Sequence, residues 1–186
     1  MSKNKILQPK IRFKEFSGEN AEAWEQRKLG DLIIINSGRD YKHLKTGNIP
    51  VYGTGGLITK VNKSLSKNKN AIGIGRKGTI DKPFILHAPF WTVDTLFYCI
   101  PNTNTDISFV YSLFLKVNWK SFDESTGVPS LSKNVINKIT TYSTQLQEQI
   151  KIGNFFNKLN DTITLHQRKI EQYQELKKTL LSKMFI

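Results

Sequence analysis

Gly73-Ile74-Gly75-Arg76-Lys77-Gly78, followed by Thr79-Ile80-Asp81-Lys82-Pro83, is the stretch on which the fold turns. Its glycines match G-x-G-x-x-G, and a dinucleotide-binding fold needs such a turn to open a helix whose N-terminus meets a pyrophosphate. Here β-branched residues and a proline follow, and proline breaks a helix interior. The stretch therefore reads as a strand, Ala71 to Gly75, running into a tight hairpin that presents Arg76 and Lys77.

Working outward, Leu32-Ile33-Ile34-Ile35 is closed by Asn36-Ser37-Gly38, and Ile49-Pro50-Val51-Tyr52 by Gly53-Thr54-Gly55-Gly56. Apolar runs with turn residues behind them read as buried strands, and Phe84 to His87 and Thr95 to Ile100 read likewise. Ile107 to Val117 has apolar residues at helical spacing, with Asp106 as its N-cap. Ser125 to Ser132 is a loop whose serines can cap a short helix through Val135, Ile136 and Ile139, and whose hydroxyls are candidate phosphate or base contacts. Residues 1–22 read as an arm with little regular structure, from which Ile11, Phe13 and Phe16 could lie against a core.

From Gln145 onward there is no proline, Gly153 is the one glycine, and helix formers dominate. At about 1.5 Å per residue these forty-odd positions make a rod of roughly 60 Å. Phe156, Leu159, Ile163, His166, Ile170, Tyr173, Lys177, Leu180 and Met184 step alternately by three and four, the seam of a coiled coil. Only about the first third of so long a helix can pack on its own domain, so the rest of the stripe calls for a partner. His166 and Lys177 sit on the seam, where polar side chains fix register rather than bind ligands.

The chain carries 28 lysines and arginines against 15 acids, a net charge of +13. Ten of the basic residues and only Asp40 and Asp81 fall between Asn36 and Lys82, so +8 is concentrated there. A membrane-surface helix would also be basic, but the glycines of this stretch exclude one. Basic loops interleaved with Tyr41, His43 and Tyr52 offer phosphate partners, stacking faces and base-edge hydrogen bonds together, the mix that nucleic-acid readers use. The plainer alternative is a solvated lysine-rich surface. No apolar run approaches a membrane span, and no secretory signal is visible, so a cytoplasmic location is expected.

Motifs for chemistry do not stand out. His43, His87 and His166 lie far apart, Cys99 stands alone among apolar neighbours as an inert core thiol, and no metal is expected. No nucleophile elbow, Walker A loop or paired nuclease carboxylates are recognisable, so no catalytic residues are assigned.

Five blocks, in order, carry a family likeness. They are Trp24 to Asp31, Ile49 to Gly56, Ile74 to Thr79, Thr126 to Ser132, and Glu148 to Ile152 with Lys178 to Phe185. On them the chain resembles the specificity subunit of type I restriction enzymes along nearly its full length. The resemblance implies an α+β chain: an N-terminal arm (1–22), a target-recognition domain with a strongly twisted β-sheet (23–143), and one long helix (144–186) forming an antiparallel coiled coil with a partner. It implies a non-catalytic subunit whose partners are double-stranded DNA, a methyltransferase subunit and a translocating restriction subunit, with self-association through the helix. S-adenosylmethionine is expected only in the methyltransferase. Arg39, Lys42, His43, Arg76 and Lys77 are expected to supply major-groove and phosphate contacts, with Tyr41, Tyr52, Thr54, Thr79, Ser130 and Lys133 assisting. The family's usual chain holds two such domains and two helices. A half subunit that pairs with itself is expected here, the alternatives being a fragment of a two-domain subunit or a decoy that binds methyltransferase subunits without guiding them.

Overall fold

The computed structural model describes residues 8–18 and 21–185; the remaining arm residues and Ile186 lie outside the described residues. In chain order the elements are β1 (Glu25–Lys28), α1 (Leu29–Leu32), β2 (Ile33–Ser37), β3 (Thr46–Gly53), β4 (Gly56–Val61), β5 (Ala71–Gly75), β6 (Phe84–Leu86), β7 (Trp91–Thr92) and β8 (Leu96–Pro101). There follow α2 (Ile107–Lys116), α3 (Lys133–Lys138), β9 (Thr140–Ser143) and α4 (Leu146–Met184). The expected α+β class with a long C-terminal helix is what the chain adopts.

The strands are divided among three sheets: an antiparallel four-stranded sheet in the order β2-β8-β5-β6, a three-stranded sheet β4-β3-β7, and the ribbon β1-β9. β5 lies inside the largest sheet and is buried along its whole length. Ile72 and Ile74, with Ile33, Ile35, Phe97 and Cys99, face Phe109, Val110 and Phe114 of α2 and the indole of Trp119. Burying a side chain of this size contributes about 1.5–3 kcal/mol, and this layer is the core on which the loops are mounted. Burial pushes the Cys99 thiol far above its ordinary range, which makes it inert.

Local signals hold where they were specific. Asp106 caps α2 by accepting a hydrogen bond from Phe109 N at 2.8 Å, and Ser132 caps α3 by accepting one from Val135 N at 3.2 Å. Two expectations need correction. The run at Ile33 to Ile35 is not buried throughout: β2 is an edge strand with one face on the core, so Ile34 points outward and is 57% exposed. Among the described residues of the arm, Ile11 and Phe13 do not lie on the sheet core either. Ile11 is exposed, while Phe13 meets Phe155 of α4 edge-on at 5.9 Å.

Arg12 ties that arm to α4. Its guanidinium donates to both oxygens of Glu148, Nε to Oε1 at 2.8 Å and Nη2 to Oε2 at 2.7 Å, while Trp24 and Thr144 donate to the same carboxylate. Gln149 and Gly153 are the other buried residues of α4, and at Gly153 the helix passes directly over the start of α2. Beyond it no residue of α4 is buried.

Candidate nucleic-acid interface

The loop of residues 76–83 connects β5 to β6 and is longer than the tight hairpin expected from the sequence. Its first residues are held on two sides. Arg76 N and Lys77 N donate to Thr95 O at 2.8 and 3.2 Å. On the other side Gly78 N donates to Pro129 O at 2.8 Å and Leu131 N to Arg76 O at 2.9 Å, with Lys77 bridging Ser130. Two glycines are needed here for separate reasons. A Cβ on Gly75 would lie 2.0 Å from the carbonyl oxygen of Thr79, and Gly78 has φ of +88°. Close packing and a left-handed turn account for the pattern, with no helix following it.

Arg76, Lys77, Ser130 and Lys133 line one open cleft of about 400 Å³ together with Phe97, Ser37 and Glu124. Two cations share the Phe97 ring: Arg76 Cζ lies 6.0 Å and Lys133 Nζ 5.9 Å from its centroid. Asp123 braces the far wall, its Oδ1 accepting from Ser130 N at 2.8 Å and Ser125 N at 3.0 Å. Hydrogen bonds from Ser130 and Ser125 hold its carboxyl below the ordinary value. Thr54, at the tip of the β3–β4 hairpin, lies outside this cleft but comes close to the same loop, its Oγ1 3.8 Å from where a Cβ on Gly78 would stand.

Arg39, Lys42 and His43 form a second exposed group. His43 meets the Trp91 ring edge-on at 6.2 Å, and Trp91 Nε1 donates to Arg39 O at 2.8 Å. Tyr41 and Tyr52 are half-buried. Tyr41 packs against Val51, Val61 and Trp91, and Tyr52 tilts onto Phe84 at 6.0 Å, so both rings serve the core as well as the surface. Thr79 is also half-buried, behind Gly75.

Residues 91–95 join the two groups. Thr92 O accepts from Arg39 N at 2.8 Å, Val93 N donates to Tyr52 O at 2.9 Å, and Thr95 O takes the amides of Arg76 and Lys77. Sequence reading missed this ledge and missed Phe97 as the platform of the cleft. Nothing in Trp91 to Thr95 marks it as more than a turn before a strand.

A larger hollow of about 610 Å³ near the start of α4 is lined by Glu22, Glu25 and Asp31 against Arg27, which disfavours a polyanion. Among the described residues no cluster of three or more His, Cys, Asp or Glu is placed to hold a metal ion, and no helix is long and apolar enough to cross a membrane. The seam residues Phe156, Leu159, Ile163, His166, Ile170, Tyr173, Leu180 and Met184 are all exposed along α4.

Comparison with known proteins places this geometry. The family model described as type I restriction modification DNA specificity domain matches residues 21–175. A type I restriction-modification S subunit from M. genitalium superimposes with a TM-score of 0.64 at 16% identity, over 77% of this chain and 40% of that one. A structure described as showing complex assembly and conformational transition of the type I R-M system gives 0.66 at 12% identity, over 89% and 46%. The HsdS subunit from Thermoanaerobacter tengcongensis gives 0.60 at 10% identity, over 87% and 41%. No curated protein matches the sequence. The chain spans less than half the length of these solved structures. It belongs to the family of type I restriction-modification DNA specificity domains.

Proposed function

We propose that the chain reads one half-site of duplex DNA through the cleft and the loops beside it, and that α4 docks methyltransferase subunits and a second copy of the chain. In this reading the arm is 1–22, the reader 23–143 and the spacer helix 144–186. It works in the cytoplasm. The chain selects the address, while methyl transfer to an adenine and DNA translocation belong to its partners.

The observation that carries the reading is the convergence of Arg76, Lys77, Ser130 and Lys133, distant in sequence, around the ring of Phe97. Cations held on a buried ring lose less freedom when they meet phosphate, and hydroxyls and a carboxylate beside them can read base edges. The pairing of β1 with β9, Glu25 opposite Ser143, supports the domain limits by bringing the two ends of the reader together before α4 departs. The exposed stripe of α4 supports a helical partner, since an apolar seam at heptad spacing is stable only when covered. Two copies paired antiparallel would set identical readers at opposite ends of the rod and so select an inverted repeat.

The test is the salt dependence of DNA binding by R76A/K77A. If both side chains neutralise phosphates, the slope of log K against log salt falls by about 0.9 for each phosphate that is no longer neutralised. A slope equal to that of the parent chain removes these two residues from the phosphate interface.

A further inference from the structure

We propose that Leu57 and Ile58, on the β3–β4 hairpin, contact thymine 5-methyl groups in the major groove, giving the reader an apolar element beside its basic one. The inference rests on the DNA-reading proposal above.

The hairpin is irregular where these two residues sit. Val51 pairs with Thr59 but Tyr52 pairs with Leu57, so Ile58 is the extra residue of a bulge. A bulge interrupts the alternation of side chains and re-aims them. Leu57 is 60% and Ile58 51% exposed, on a stretch of β4 that stays exposed through Thr59 and Lys60. In a regular strand, alternation would give one of them the opposite face.

Their surroundings point to DNA. Ile58 Cδ1 and Val93 Cγ2 lie 2.9 and 3.5 Å from where a Cβ on Gly53 would stand, so Ile58 rests beside the ledge. The next ledge residue, Asp94, accepts from Arg76 Nη1 through its carbonyl at 3.4 Å. The hairpin tip at Thr54 stands against Gly78 of the same basic loop. Lys60 and Lys63 follow on the other side, both exposed. The apolar pair is therefore flanked by cations at both ends, which suits a surface that is apolar only in small patches within a field of phosphates.

β4 is the edge of its sheet, but the bulge and Lys60 are devices that discourage a second strand from adding there. That argues for DNA over another copy of the chain. The major groove, about 12 Å wide, admits a two-stranded ribbon, and the thymine methyl is the apolar feature exposed on its floor.

The test begins by selecting bound sequences from a random DNA duplex library with the full chain, then replaces each thymine of the enriched site with deoxyuridine, which removes only the methyl group. One or more substitutions are expected to weaken wild-type binding about four-fold, the worth of one buried methyl-sized group. The effect should vanish in L57S/I58S and persist in L57V/I58V, with circular dichroism confirming that both variants fold. An enriched site without thymine, one insensitive to deoxyuridine, or one equally sensitive in L57S/I58S overturns the inference while leaving the DNA-reading proposal standing. Failure to enrich any sequence overturns both.

Discussion

Glu148 is a carboxylate taken out of water, with side-chain exposure of 1% against 5% for its partner Arg12. Burial pushes its carboxyl up, but hydrogen bonds from Arg12, Thr144 and Trp24 together outweigh that and hold it below its ordinary value of 4.5. A carboxyl whose folded value is depressed stabilises the fold fully above its unfolded value, and that stabilisation is lost as pH falls through the folded one. Stability of the arm-to-helix junction is thus expected to be flat well above the ordinary carboxyl value and to fall as pH drops below it. Removing the charge with Glu148→Gln leaves Arg12 buried and unpaired, at a cost of about 3–5 kcal/mol in a urea melt. Phe97 invites a gentler change: Phe97→Leu keeps an apolar side chain in the core but removes the face shared by Arg76 and Lys133. It should weaken DNA binding by about 1 kcal/mol and, because the smaller side chain underfills the core, lower stability by about 1 kcal/mol as well, as measured by fluorescence anisotropy and thermal melting. The sequence exposed Arg76, Lys77, Ser130 and Lys133 through charge and loop composition. Phe97 was hidden because an aromatic residue in an apolar run reads as core, which it also is.

At the scale of elements, α4 was the most legible feature because its run of helix formers is long and free of proline, and α2 and α3 announced themselves through Asp106 and Ser132. β1 and β9 gave no such signal. Glu25–Lys28 is exposed at every position and Thr140–Ser143 is mostly polar, so neither shows apolar alternation, and their pairing depends on a partner more than a hundred residues away. The bulge of β4 was equally invisible, since register is a property of two strands. Gly153 was visible as the lone glycine of α4, but its reason lies in packing. A Cβ there would come 2.7 Å from Ser108 Cβ and 2.9 Å from Phe109 N. Gly153→Ala should therefore force α2 and α4 apart and cost about 1–3 kcal/mol. An unchanged Tm would show that the two helices can part at this crossing without strain.

At the scale of the whole molecule, one domain is mounted on about the first three turns of a rod of about 60 Å. Arg12, Phe13 and Lys151, the last paired with Glu15 at 2.8 Å, clamp the arm over those turns. The remainder of α4 presents an apolar seam with nothing covering it among the described residues. Net charge and its concentration pointed to the basic loops as the candidate surface for a polyanion, while the ledge at residues 91–95 came only from the fold. The central claim is that the chain reads DNA as a pair of identical readers set apart by α4. The most direct measurement is the consensus enriched by the purified full chain from a library of random duplexes. The account predicts two inverted copies of one short half-site separated by a constant number of unread base pairs; a single contiguous site, or no enrichment above the input library, would contradict it.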